Sequence, residues 1–386
     1  MTPNKLPTRR RYPHFPYSIE WNHENASRTV PRGVPPFSIE EIDIDDPRPD
    51  EILVRMRAAG ICHTDLLTRQ MLPTDTPVVL GHEGAGVVEK VGSSVRRVSL
   101  GDHVLISYDS CGSCPRCTAG MPSDYAQFAV LNSSGGRADG SSPLSQDGNR
   151  VAGAFFGQSS FATHALVTER NAVVVEDDVD LTTTASFGCG MQTGAGAVAN
   201  VLRPGSDARL AVYGAGSVGM AAIIMAARAL DVSTIVAVDL SESRRETALK
   251  LGVAASIDGS AADVIEQVKT AAGGEITHAL DTTGVPAVIA GAANALGPLG
   301  TLVLVGLGAP QATIDIPPFI GGGRSLRGCI EGDAVPGEFI PHLVEWHRTG
   351  RFPIERIVTP FPFAEINTAV AAMAAGGAIK PVLTFP

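Results

Sequence analysis

The chain has 386 residues, 44% hydrophobic and 18% charged, which is enough to bury a large core and more than one domain usually holds, so two domains are expected and global disorder is excluded. A formal net charge of −10 repels nucleic acid from most of the surface. No apolar run reaches the roughly 20 residues of a membrane span, and the opening MTPNKLPTRRRYPHFPYS has no apolar stretch for a secretory signal, so a cytoplasmic protein without nucleic-acid or membrane partners is expected.

Residues 1–36 are rich in Pro, Arg and Asn without helical or strand periodicity and read as a flexible N-terminal extension. From Phe37 the text turns to short β-like runs, Glu51-Ile-Leu-Val-Arg-Met-Arg and Gly84-Ala-Gly-Val-Val-Glu-Lys-Val-Gly, punctuated by glycine, which defines a β-rich domain over 37–190. Inside it the polar stretch 131–150, LNSSGGRADGSSPLSQDGNR, suits a surface loop better than a packed element.

Over 191–331 the pattern becomes strand, glycine turn, helix, strand: Arg209-Leu-Ala-Val-Tyr, the apolar Val218–Leu230, then Thr234-Ile-Val-Ala-Val-Asp. Further apolar runs at 278–281 and 301–306 extend this βαβ unit into a doubly wound parallel sheet of the Rossmann kind. The last stretch, 332–386, with TPFPF and PVLTF, reads as β-like and as a return to the first domain. The fold class is therefore α/β, one β-rich domain and one doubly wound sheet.

Gly214-Ala-Gly216-Ser-Val-Gly219 lies between a strand and a helix, where the first glycine permits the turn, the second lets a pyrophosphate approach and the third packs helix on strand. Asp239 closes the next strand, twenty residues beyond Gly219, where a carboxylate accepts the hydroxyls of an adenosine ribose and repels a 2′-phosphate. NAD is favoured over NADP, with Arg244 and Arg245 close enough to soften that preference.

Catalytic zinc takes three protein ligands and leaves one position open, and two Cys with one His is a known set. Cys62, in Gly60-Ile-Cys62-His63-Thr64-Asp65, His82, in Gly81-His82-Glu83-Gly84, and Cys189, in Gly188-Cys189-Gly190-Met-Gln-Thr193-Gly194, could close round one ion where the domains meet. Read singly, two of these are buried small thiols and the third a core histidine. Asp65 can hold the second ring nitrogen of His82 and fix its tautomer.

GICHTD, GHEGAGVVEKVG, GCGMQTGAG and GAGSVG, in that order, resemble the zinc-dependent medium-chain alcohol dehydrogenases over residues 37–386. Phe155-Phe-Gly-Gln-Ser-Ser-Phe, Glu331-Gly-Asp-Ala-Val-Pro-Gly-Glu-Phe-Ile-Pro and Gly350-Arg-Phe-Pro resemble their aryl (benzyl) alcohol subgroup. The resemblance implies a GroES-like catalytic domain with zinc on Cys62, His82 and Cys189, with Glu83 and Asp65 beside it. It implies NAD at His63, Thr193, Gly214, Gly216, Ser217, Val218, Gly219, Asp239 and Lys380. It makes Thr64 the group that passes the alcohol proton toward the coenzyme ribose, and places His63 near the pyrophosphate. The activity implied is oxidation of a primary aromatic or allylic alcohol to the aldehyde, reversibly, with zinc and NAD as cofactors and a homodimer or homotetramer as the assembly.

Two positions depart from the family pattern. Leu67 stands where a histidine often completes the proton relay, so the relay must end at the ribose, at water or at His63. The family's structural zinc uses four cysteines spaced CxxCxxCx7C; Cys111, Cys114 and Cys117 are present, but Tyr125 takes the fourth place, leaving an incomplete site to which Asp124 could add an oxygen. Tyr108 matches a position lining the substrate pocket, and Met71 and Leu72 could join it. Two rival readings remain, a non-catalytic NAD-binding member of the fold and a zinc-free reductase acting on another carbonyl.

Overall fold

The computed structural model describes residues 35–386 except Thr74, so the extension read over 1–36 lies outside the described residues but for Pro35 and Pro36. The β-like runs of the first half become Glu51–Gly60 and Gly84–Val91, which pair antiparallel at the middle of a seven-stranded sheet. His103–Ile106 and Ala172–Val175 extend it on one side and Lys380–Thr384 and Val358–Pro362 on the other, while His164–Thr168 pairs with the start of Glu51–Gly60. Eight of the ten residues of Glu51–Gly60 are buried, as a central strand covered on both faces requires. Pro360 and Pro362 lie in Val358–Pro362, the edge strand, where a missing N–H costs the ladder nothing.

The second sheet is wholly parallel, in the spatial order Ala255–Asp258, Thr234–Asp239, Arg209–Tyr213, Ile276–Asp281, Leu296–Leu304, Ser325–Gly328. Numbered along the chain this is 3-2-1-4-5-6, the Rossmann order, whose reversal point between strands one and four opens a crevice at their carboxyl ends. The expected strand at 301–306 starts earlier, at Leu296, because Leu296 already pairs with Ile276 ahead of a register shift. One apolar core runs from Leu105 and Val173 of the first sheet through Phe187 and Met191 to Leu210 and Ile223 of the second.

The stretch 131–150 is not a simple loop. Leu144–Gln146 and Asn149–Val151 form a hairpin round Asp147-Gly148, both at positive φ, and Asp43–Ile44 adds a third strand. Arg137 lies over this unit, with Nε 2.6 Å from Glu51 and Nη1 2.7 Å from Asp45. The polar composition misled because a two-residue turn and a buried ion pair need the same residue types as an exposed loop. Among the described residues no helix is long and apolar enough to cross a membrane.

Candidate functional site

Glu51–Gly60 delivers the chain to Cys62, which caps the helix His63–Met71 in extended conformation. The carboxylate of Asp65 closes that cap by accepting the Cys62 N–H at 2.9 Å, and its other oxygen accepts the Gly81 N–H at 3.1 Å and the His82 Nδ1–H at 2.8 Å. Asp65 and His82 are both fully buried. With Nδ1 committed to Asp65, His82 Nε2 carries the free lone pair, and it is buried with no hydrogen-bond partner. Such an atom costs free energy unless something takes its lone pair. One ligand atom each from Cys62, His82, Glu83 and Cys189 lie within 4.8 Å of one another.

This donor set is short of positive charge. The hydrogen bond shared with Cys189 pulls the Cys62 thiol well below its usual range and pushes Cys189 well above. Burial lowers the proton affinity of His82, yet the Asp65 carboxylate and Cys62 thiolate carry it well above the ordinary imidazole value. Two soft sulfurs gathered beside an oriented imidazole whose Nε2 has no protein partner fit a zinc ion, the borderline-soft cation that takes such a set.

Three further groups hold the cluster. Phe156 stacks on the His82 ring at 4.5 Å and Phe155 meets its edge at 5.5 Å, while Gln158 Nε2 donates to His82 O and its Oε1 accepts the Gly84 N–H, both at 2.9 Å. In the sequence this run marks only a resemblance, and in the structure it clamps His82. Glu331 likewise stands at the site without a mark in the sequence. It is buried at a left-handed φ of 52°, with Oε1 3.4 Å from Cys189 Sγ and Oε2 accepting from Gln192 at 3.0 Å, and burial raises its carboxyl to about 7. A non-glycine residue in that backbone region, beside a nucleophilic sulfur, is typical of functional sites, but sequence gives no sign of it.

Lys380 lies against Glu83. Expected at the coenzyme, it is fully buried with Nζ 2.8 Å from both oxygens of Glu83 and 3.1 Å from Ile61 O, so its three protons have partners beside the metal ligands. Gly60 is glycine because a Cβ there would lie 2.0 Å from Glu83 Oε2. Glu83 stands among the possible ligands, but its charge faces Lys380.

The glycine turn has the geometry its spacing predicts. Gly214 has a φ of 92°, Gly216 has open space where a Cβ would be, and a Cβ on Gly219 would meet Gly214 O at 1.8 Å. Ser217 and Val218 open the helix Ser217–Ile224 behind it. Asp239 is buried at the end of Thr234–Asp239, its oxygens accepting the Ala215 N–H at 2.7 Å and the Ser241 N–H at 2.8 Å, which fixes the carboxylate beside the glycine turn. Arg245 is tied to the Asp239 and Leu240 carbonyls, both at 2.9 Å. The helix Gly190–Gly196, capped by Cys189 and carrying Thr193, joins the two sites: a Cβ on Gly194 would lie 2.0 Å from Val218 O, so only glycine lets it approach the nucleotide turn.

Thr64 Oγ1 lies 3.7 Å from Cys62 Sγ, and burial holds the neighbouring His63 below its ordinary pKa. Leu67 is half-buried on the same helix and Met71, at its end, is exposed. Tyr108 is buried with its hydroxyl donating to Ala334 O at 2.6 Å, so it offers an aromatic face and no free proton. In the cysteine lobe, Cys117 Sγ lies 3.7 Å from that of Cys111 and 3.6 Å from that of Cys114, and Asp124 is not gathered with them.

Comparison with known proteins agrees with this arrangement. The family model for the alcohol dehydrogenase GroES-like domain matches residues 48–177, and that for zinc-binding dehydrogenase matches 217–347. The geraniol dehydrogenase of Castellaniella defragrans is 44% identical over 91% of this chain and 95% of its own. The crystal structure of an alcohol dehydrogenase zinc-binding domain protein from Burkholderia ambifaria superposes with a TM-score of 0.88 at 44% identity, over 93% of this chain and 97% of that one. Benzyl alcohol dehydrogenase from Acinetobacter calcoaceticus superposes with a TM-score of 0.86 at 38% identity, over 89% and 94%.

If Asp65 sets the His82 tautomer, Asp65→Asn should weaken zinc binding about 10- to 100-fold, the usual effect of losing such a partner. Competition for zinc against a chelator of known affinity checks this.

Proposed function

The chain belongs to the zinc-dependent medium-chain alcohol dehydrogenases, near their aryl-alcohol subgroup, and from that premise we propose that it oxidises primary aromatic or allylic alcohols to aldehydes, with zinc on Cys62, His82 and Cys189 and NAD in the Gly214–Gly219 crevice. The observation that carries this reading is the buried, unpartnered Nε2 of His82 among two sulfurs. A zinc-free reductase has no use for that atom, and a non-catalytic relative has none for the set.

Bound zinc supplies Lewis acidity, which brings water from a pKa of about 16 to about 7 and acts on an alcohol in the same sense. The chain's own residues do the rest. Cys62 and Cys189 offset the ionic charge, Asp65 holds the imidazole in its ligating tautomer, and Phe155 and Phe156 exclude water from the His82 face. With the coenzyme bound, Thr64 Oγ1, 3.7 Å from Cys62 Sγ, would receive the alcohol proton, Asp239 would hold the adenosine ribose, and Gly216, with open space at its Cβ position, would leave room for the pyrophosphate. Beyond the ribose the helix offers Leu67, which carries no proton, so release ends at water or at His63.

Substrate class follows from the aromatic wall and the relatives. Phe156, Phe128 and Tyr108 continue from the His82 ring in successive contacts of 4.5, 6.2 and 5.4 Å, a surface suited to planar, unsaturated alcohols. The two named relatives act, by their names, on geraniol, which is allylic, and on benzyl alcohol.

Self-association is the second part of the proposal. Ser325–Gly328, the last strand of the parallel sheet, is exposed at all four residues, and Leu299, Ile316 and Ile320 stand 81%, 57% and 78% exposed beside it. An open edge flanked by apolar side chains is covered most simply by the same edge of a second copy.

Three outcomes are expected. NADH formation by the purified protein should favour benzyl, cinnamyl and geranyl alcohols over short aliphatic ones and stop with a zinc chelator; chelator-resistant turnover would remove the metal assignment. Leu67→His should speed turnover and sharpen its pH dependence where proton release limits the rate, and an unchanged profile would remove the relay argument. Leu299→Lys with Ile320→Lys should lower the mass seen by sedimentation to one chain, and an unaltered assembly would place the interface elsewhere.

A further inference from the structure

Four buried polar side chains, those of Gln158, Ser107, Gln192 and Glu331, link the metal ligands His82 and Cys189 in one run of contacts. Gln158 Nε2 donates to His82 O at 2.9 Å and to Ser107 O at 3.3 Å. Ser107 stands directly after the strand His103–Ile106, and its Oγ lies 2.8 Å from Gln192 Nε2. Gln192 Nε2 also donates to Glu331 Oε2 at 3.0 Å, and Glu331 Oε1 lies 3.4 Å from Cys189 Sγ. Ser107 and Gln192 are completely buried.

Gln192 is the hub of this frame, and counting protons shows how it is held. Its amide nitrogen has two protons and three oxygens within reach, Ser107 Oγ and Gly188 O at 2.8 Å and Glu331 Oε2 at 3.0 Å. The Ser107 hydroxyl donates to Gly188 O at 2.6 Å, which leaves the amide protons for Ser107 Oγ and Glu331. Turned over, the amide would set its oxygen against Gly188 O, which has no proton to give. In the observed orientation Oε1 is buried with no partner, so the contacts of Nε2 outweigh the cost of an unpaired acceptor.

Glu331 is fixed as firmly. Glu331, Gly332 and Asp333 all have left-handed φ, at 52°, 70° and 47°. A Cβ on Gly332 would lie 2.3 Å from Gln192 O, and one on Gly196 would lie 2.4 Å from Gly332 O, so this loop sits backbone to backbone on the helix Gly190–Gly196. Asn200 Nδ2 donates to Gly332 O at 3.0 Å. Gly190, next to Cys189, donates its N–H to Glu83 Oε1 at 3.1 Å and holds the ligand from a further point.

We propose that Gln192 is a positioning residue for the metal: it holds the Glu331 side chain against Cys189 Sγ, ties both to Ser107, and so fixes where that sulfur stands relative to His82. Gln192 acts on the ion only through Glu331 and Cys189, as outer partners of metal ligands do. The inference rests on the zinc dehydrogenase reading.

The test reads the metal and not turnover. Cobalt, put in place of zinc in the full-length chain, reports its ligand geometry through its visible bands, and the lobe cysteines cancel in a difference between variant and wild type. Gln192→Met keeps the bulk and removes the donor. It should shift the cobalt bands and weaken zinc binding about 10- to 100-fold, the range for lost partners of metal ligands. Glu331→Gln, which still accepts from Gln192, should stay closer to wild type than Glu331→Ala, which cannot. Should Gln192→Met not fold, Ser107→Ala takes its place and should shift the bands too. A folded variant that melts earlier but keeps wild-type bands and zinc affinity would overturn the proposal and leave the dehydrogenase reading intact, as would equal shifts in Glu331→Gln and Glu331→Ala. Wild type with no cobalt on Cys62, His82 and Cys189 would overturn both.

Discussion

The hydrogen bond between Asp65 and His82 Nδ1, 2.8 Å long and wholly buried, is the constraint on which the site rests. An unrestrained imidazole can present either nitrogen, and a mixture of tautomers would blur any ligand geometry. Here the carboxylate that caps the His63–Met71 helix also takes the Nδ1 proton, so one residue sets the position of Cys62 and the lone pair of His82 together. The stacked Phe156 then removes the remaining rotation of the ring. Nε2 is left pointing where it has no protein partner, an arrangement that a bound cation makes favourable.

Around that bond the chain tolerates several features that only a bound ion and coenzyme make sense of. Glu83 and Lys380 form a fully buried pair, and burying two charges commonly costs as much as their attraction returns. The pair spans the first strand after the ligand loop and the last strand of the chain, so it ties Lys380–Thr384 to the metal ligands and admits no misalignment of that strand. Glycine at 60, 194 and 219 serves the same end, since each stands where a Cβ would collide with a carboxylate or a carbonyl. Close approach of backbone to backbone is what brings the helix behind Cys189 against the nucleotide turn.

Much of this was legible in the sequence because the functions involved leave rigid marks. The strand–glycine–helix–strand text of 209–239 can hardly pack except as a βαβ unit, and its strand order followed. Cys62, His82, Cys189 and Asp65 were readable because metal chemistry restricts which residues serve. The contact of Lys380 with Glu83 is not legible in the sequence, because the two meet only where Glu51–Gly60 pairs with Gly84–Val91 on one side and Lys380–Thr384 on the other. Glu331 and Gln158 escaped for the same reason: each acts through contacts far apart in the chain. The polar stretch 131–150 failed differently, since the residues of a tight hairpin are those of a loop.

The most direct test of the account is an anomalous-difference map collected at the zinc edge from crystals grown without added metal. The account predicts a peak about 2.1 Å from His82 Nε2 and about 2.3 Å from the sulfurs of Cys62 and Cys189, with Nδ1 still on Asp65. Density elsewhere in the chain with none at these three atoms, or a metal on Nδ1 with Asp65 turned away, would contradict it.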